Sequence, residues 1–313
     1  MRDNFIICIQ AVIPMFIFLV IGFIARKAGA VKDSELPRLN NMAFKVLFPF
    51  LMFSNVYKSK VTEVFNVKLI AFAVIAVFIV YFAGTVYTRL VEADNKARGA
   101  MIQGIYRSNF VIMGLPLANN IFGHGNIGIT AVTTAVVVPL YNVLAVITLE
   151  KYRDGKADLK TVLINIAKNP LIIGAVIGIL FSVIGIRLPG VLDNAVSDVS
   201  ACATPVALMI LGASFKFDAV KEKKKNILRV CVARLLIVPG IVLTTAYFMG
   251  FTGISFVTLV GVFAAPCAIS SFTMAQAMES DYELAGAAVI FTSAICCFTM
   301  FLWLFIFRTI GAF

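Results

Sequence analysis

Apolar runs of about 20 residues, recurring along the whole chain and separated by short clusters of charge, constrain this sequence more than any other feature. A run of that length crosses the roughly 30 Å hydrocarbon core of a bilayer as an α-helix, where every backbone group must be satisfied within the protein. Of the residues, 61% are hydrophobic and 14% charged, whereas charged residues make up about a quarter of an average soluble domain. The pattern predicts an all-α integral membrane protein with helices over 5–25, 36–56, 67–89, 97–121, 127–149, 162–183, 190–213, 228–249, 253–277 and 284–308. Three of these carry polar interruptions: Lys45 and Pro49 in the second, Arg107 and Pro116 in the fourth, Asp198 and Pro205 in the seventh. The first run ends in Arg26-Lys27 without a small-residue cleavage site, so it reads as a retained helix and not a signal peptide.

The net charge of +11 is unevenly distributed. Arg26, Lys27, Arg89, Arg98, Lys151, Arg153, Lys156, Lys160 and Lys216 through Arg229 follow odd-numbered helices, and only Arg2, Lys58, Lys60, Lys68, Arg187 and Arg308 fall on the opposite side. By the positive-inside rule the odd-helix loops are cytoplasmic, which places both termini outside a multi-pass protein of the cell membrane. The acidic stretch Glu279 to Glu283 falls on the basic side, where acidic residues carry little weight in that rule. Without a recognition motif the positive charge reports orientation and not nucleic-acid binding. The six cysteines, Cys8, Cys202, Cys231, Cys267, Cys296 and Cys297, lack metal or redox spacing and are expected to be packing residues.

Helix-breaking residues recur at one offset near half the chain length: Pro14 with Pro170, Gly22 with Gly178, Gly29 with Gly185, Pro49 with Pro205 and Gly84 with Gly240. A shorter loop before the ninth helix then brings Pro116 onto Pro266. Two five-helix repeats, 1–156 and 157–313, account for this, and an odd number of spans per repeat inverts the second in the membrane.

Breaks in membrane helices persist where they line a cavity or are satisfied by neighbouring protein. The fourth helix runs Arg107-Ser108-Asn109 to Met113-Gly114-Leu115-Pro116, and the ninth runs Ala265-Pro266-Cys267-Ala268-Ile269-Ser270-Ser271. If these helices cross at Pro116 and Pro266, their freed backbone donors face an anion near the midplane, with Asn109, Gly114, Leu115, Pro266, Cys267, Ser270 and Ser271 around it. Arg107 lies too deep for a surface charge and requires a substrate carboxylate or a fixed acid, for which Asp198 and Glu150 both qualify. Lys45 and Arg234 are expected to snorkel to an interface, and Asp198 is a candidate for an ion or proton path. His124, the single histidine, lies in the loop Gly123-His124-Gly125, and no HExxH, nucleophile elbow or phosphate loop is present, so neither enzymatic activity nor a cofactor is expected. The polar stretches Lys151 to Lys160 and Lys216 to Lys225 read as short connectors.

The string from Asn109 to Leu117 resembles the auxin efflux carrier family, whose plant PIN members carry a similar Asn…Met-Gly-Ile-Pro-Leu run. Lys168-Asn169-Pro170, Leu211-Gly212-Ala213-Ser214 and Ala288-Val289-Ile290-Phe291 extend the likeness along the chain. The resemblance implies two inverted five-helix repeats, with helices one, two, six and seven as scaffold and homodimer interface and the remainder as a moving transport domain. It also implies a substrate site at the crossing of the fourth and ninth helices, with the Asn109 amide on the substrate carboxylate. The large central loop of the plant proteins is absent, and Ser271 stands where they carry a second crossover proline. The short loop is similar to that of bacterial members described as malonate, malate or related organic-anion permeases. The sequence therefore predicts an elevator-type secondary carrier for a small organic anion. Two alternatives are a sodium-coupled symporter resembling the bile-acid transporters, and a membrane sensor signalling through Lys216 to Lys225.

Overall fold

A backbone in hydrocarbon has no water to bond, and the chain meets that demand with helix. The computed structural model describes residues 2–57, 66–122, 128–153 and 159–313; Lys58, Lys60, His124 and Lys156 lie outside them. The helices are α1 (Arg2–Lys27), α2 (Leu36–Met42), α3 (Phe48–Tyr57), α4 (Val67–Val91), α5 (Asn95–Tyr106), α6 (Phe110–Phe122), α7 (Gly128–Arg153), α8 (Leu159–Lys168) and α9 (Pro170–Ile184). They continue with α10 (Gly190–Ser214), α11 (Phe217–Val232), α12 (Val238–Phe248), α13 (Gly253–Ala264), α14 (Ser270–Ala277) and α15 (Tyr282–Thr309). Two π turns, Ala43–Leu47 and Ala233–Ile237, carry α2 into α3 and α11 into α12 without a break. Five described segments are long and apolar enough to cross a membrane: α4, α7, α10, α15 and the continuous 32 residues of α11 and α12. The protein is thus a helical, multi-pass membrane protein.

Local chemistry explains several element ends. Asp94 and Asp281 cap α5 and α15 by accepting the Ala97 and Leu284 N–H groups at 2.8 and 3.0 Å. Asn169 accepts the Leu171 N–H at 3.0 Å, and Pro170 in the first turn has no N–H to leave unsatisfied, so the sixth apolar run starts anew as α9. One expectation is corrected here. Phe217 to Lys225 is not a connector but the first turns of α11, because Lys and Glu are good helix formers and extend the span into the polar region.

Helix α1 packs along α10 and α3 along α9. Glycine permits both contacts: a Cβ on Gly22 would run into the backbone of Met209, one on Gly212 into that of Leu19, and one on Gly174 into that of Pro49. The outer faces, such as Ile17, Val20 and Ile24 of α1 and Ile75, Ile79 and Phe82 of α4, are apolar and exposed, as a surface solvated by lipid requires. At the end where α7 and α10 finish and α11 and α15 begin, the acidic stretch meets bases from other segments. Glu279 pairs with Arg153 at 2.8 Å, Glu283 with Lys216 at 3.2 Å, and Asp281 with Lys223 at 2.6 Å. That pairing explains acidic residues in an otherwise basic face.

Candidate functional site

The fourth and ninth apolar runs are each interrupted, and the interruptions meet. Arg107 and Ala265 leave their helices in extended conformation, and Ser108 and Cys267 face each other as an antiparallel bridge. The Asn109 N–H donates to the Pro266 carbonyl at 2.8 Å, the Ala268 N–H to the Arg107 carbonyl at 3.4 Å, and the Cys267 N–H to Thr292 Oγ1 at 3.1 Å. Each break thereby supplies hydrogen-bond partners for the other.

The fourth run breaks at 107–109 and not at Pro116, which lies inside α6 and is exposed. A proline inside a membrane helix is accommodated as a kink, whereas this break is held open by its pairing with 266–268. Gly114 serves a different end: it faces Gly261, and a Cβ on Gly261 would meet the Gly114 backbone, so the pair lets α6 and α13 approach closely. Leu115 belongs to α6, and its side chain lies outside the described residues.

A cavity of about 70 Å³ adjoins the crossing. One wall is Arg107, Ser108, Asn109, the first turn of α6 and Ala268 to Ser270 at the head of α14; Tyr141 and Asn142 of α7 join it. The facing wall is α3, with Met52 and Asn55, and Thr204 of α10. Arg107 is 2% exposed and is held by neutral partners alone: Gln103 Oε1 at 3.2 Å, Met274 Sδ at 2.8 Å and Asn142 Oδ1. Asn142 is itself anchored through Nδ2 on Met52 Sδ at 2.6 Å. Among the described residues no carboxylate pairs with Arg107; Glu150 instead accepts from Asn165 at 2.9 Å, and Asp198 is exposed on α10 away from the cavity. Asn109 is 8% exposed, and its Nδ2 has no partner among the described residues. With the positive N-terminal ends of α6 and α14 at the same place, the site presents donors and positive potential.

The other anticipated residues divide. Ser270 lines the cavity, Pro266 and Cys267 form the crossing backbone, and Ser271 is buried without lining it. Asn55, Tyr141, Asn142 and Thr204 were not anticipated; polar groups inside apolar runs are the signal that would have found them. Arg234 is a correction. It does not snorkel but is fully buried, its guanidinium bonded to four backbone carbonyls: Ala265 and Val262 at 2.9 Å, Tyr106 at 3.1 Å and Ile105 at 3.3 Å. Lys45, in the first π turn, is exposed. A larger groove, about 510 Å³ between α4 and α11–α12, is almost wholly apolar and suits lipid better than a polar solute.

Paired helix interruptions beside a buried, donor-rich cavity in a multi-pass helical protein define a membrane transporter. The chain belongs to the membrane transport protein family, whose profile matches it twice, over residues 7–158 and 153–304, once for each half. It is 22% identical over 304 residues to an uncharacterized transporter of Methanocaldococcus jannaschii, covering 94% of this chain and 97% of that one. It is 20% identical over 298 residues to another of Methanothermobacter thermautotrophicus, covering 94% and 96%.

Proposed function

We propose that this protein is a secondary carrier for a small organic anion, such as a mono- or dicarboxylate or an auxin-like acid, working by elevator-type alternating access. The observation that carries the reading is Arg107: a buried guanidinium at the cavity wall, oriented by Gln103, Asn142 and Met274 but neutralised by no acid among the described residues. A fixed charge of this kind is costly unless a partner arrives. A carboxylate satisfies it and accepts from the idle Asn109 amide and the helix N-termini beside it. No catalytic step belongs to this reading.

The ten-span arrangement is part of the proposal. To the five long segments it adds α1, α2–α3, α5–α6, α8–α9 and α13–α14, arranged as two inverted repeats over 1–156 and 157–313. Helices α1, α2–α3, α8–α9 and α10 form the scaffold, through which two copies pair in the cell membrane with termini outside. The cavity lies between α3 and α10 on one side and the crossing on the other, so sliding one body past the other carries the site. Asp198 plays no part in this reading.

Counterflow of radiolabelled malonate, malate and indole-3-acetate into proteoliposomes tests it, with and without sodium or proton gradients. Saturable flux of one acid is expected, reduced at least tenfold in Asn109→Ala while the folded yield is kept. Flux that ignores the substitution removes Asn109 from the site, and binding without flux turns the reading to a sensor.

A further inference from the structure

The guanidinium of Arg234 bonds to the crossing without lining the cavity, and no role has so far been assigned to it. Its bonds from Nε, Nη1 and Nη2 end on carbonyls of two different helix ends, Ile105 and Tyr106 at the end of α5, and Val262 and Ala265 at the end of α13. A helix C-terminus carries about half a negative charge, so two together present about one, matched by a single guanidinium. Among the described residues no carboxylate pairs with Arg234. In carriers with interrupted helices, carbonyls at such C-terminal ends coordinate a monovalent coupling cation. We propose that Arg234 is a tethered cation, a positioning residue that fills the carbonyl cage formed by the ends of α5 and α13, so that the crossing is held together without an alkali ion bound there.

Three features of the fold support this. The π turn Ala233–Ile237 surrounds Arg234, and π turns reshape the local helix face, here at a side chain that is 0% exposed. Unsatisfied, the four carbonyls would place negative potential at the crossing, next in the chain to residues that line the cavity, and would oppose an anion there. Arg234 also ties α11–α12 to both interrupted runs at once, so the crossing and that segment are joined as one body. The consequence for transport rests on the carrier reading above; the cage itself does not.

The test therefore uses no substrate. Purified protein in detergent is melted in choline chloride and in sodium chloride at equal ionic strength, with methylguanidinium titrated as a free stand-in for the side chain. The wild type is expected to melt at one temperature in both salts and to ignore methylguanidinium. Arg234→Ala is expected to melt lower and to recover saturably with methylguanidinium, which a residue acting only by packing would not do; Arg234→Lys is expected to keep most of the wild-type melting temperature. Saturable stabilisation of the wild type by sodium overturns the proposal, as does an Arg234→Ala protein that melts like the wild type or gains nothing from methylguanidinium. Should Arg234→Ala fail to fold, Arg234→Lys and Arg234→Met decide: folded Lys with unfolded Met supports a tethered charge, and equal behaviour of the two overturns it. Loss of anion flux in the wild type would sink the carrier reading and leave these melts unchanged.

Discussion

The joint between α1 and α10 and the crossing of the interrupted runs are both tight contacts between helices, made by opposite means. At the joint two backbones touch because Gly22 and Gly212 carry no side chain, each facing the other helix's main chain at Met209 and Leu19. At the crossing the chain gives up helix, and two buried guanidinium groups, Arg107 and Arg234, with a short antiparallel bridge, take over the hydrogen bonding. The joint is dispersion packing, which tolerates no added volume. The crossing is polar, and there charge and hydrogen bonding, more than apolar contact, set the energetics. In the proposed carrier, the difference separates the packing that joins α1 to α10 from the polar contacts that would receive a solute.

The largest expected effect tests the first half of that contrast. Gly212→Leu, which drives a side chain into the Leu19 backbone, is expected to destabilise by at least the 1–3 kcal/mol typical of overpacking. Folded yield and the thermal midpoint measure it, and Gly22→Leu should behave alike. A wild-type melt in either variant would mean that α1 and α10 do not meet as described. At Arg107, whose charge meets neither a carboxylate nor a carbonyl cage among the described residues, the sign reverses. Arg107→Met keeps volume and removes an uncompensated buried charge, so the melting temperature is expected to hold or rise while anion flux falls at least tenfold. Lower stability with flux preserved would assign Arg107 to the fold and abolish the contrast.

The joint was more legible in the sequence than the crossing, for a physical reason. Gly22 and Gly212 already stood out, one in the repeat of helix breakers and one in the Leu211-to-Ser214 string, because a glycine in a membrane helix is itself a sign of close approach. The predicted span 253–277 coincides with the outer limits of α13 and α14, since hydropathy reports where lipid begins. It does not report an interruption made by tertiary pairing: residues 107–109 contain neither Gly nor Pro, and the break there follows from the bonds to 266–268. Reading breakers alone moved it to Pro116. From sequence Arg234 reads as a snorkelling side chain, because its carbonyl partners exist as a cage only after the two helix ends have met.

Between these extremes stands Asn142, which holds Arg107 by its carbonyl oxygen and Met52 of α3 by its amide nitrogen, and so touches both walls of the cavity. Asn142→Leu removes an orienting bond but no charge. A three- to tenfold rise in the substrate concentration for half-maximal counterflow is expected, with stability little changed, about what one ordinary hydrogen bond is worth. An effect as large as that of Arg107→Met would place Asn142 directly on the substrate.

The smallest effect belongs to the polar face, where Arg153 at the end of α7 meets Glu279 ahead of α15. The hydrogen bond and positive charge of Arg153 hold the Glu279 carboxyl below its ordinary value. A carboxyl lowered in the folded state adds stability above its unfolded value and loses it as the pH falls through the folded one. Acidification should therefore cost the wild type slightly more melting temperature than Glu279→Gln, and the difference should vanish in high salt, because the Glu279 side chain is 64% exposed and water screens the pair. An acid sensitivity as large in Glu279→Gln would mean that the titrating group lies deeper, and that the polar face and the crossing are less independent than their chemistry implies.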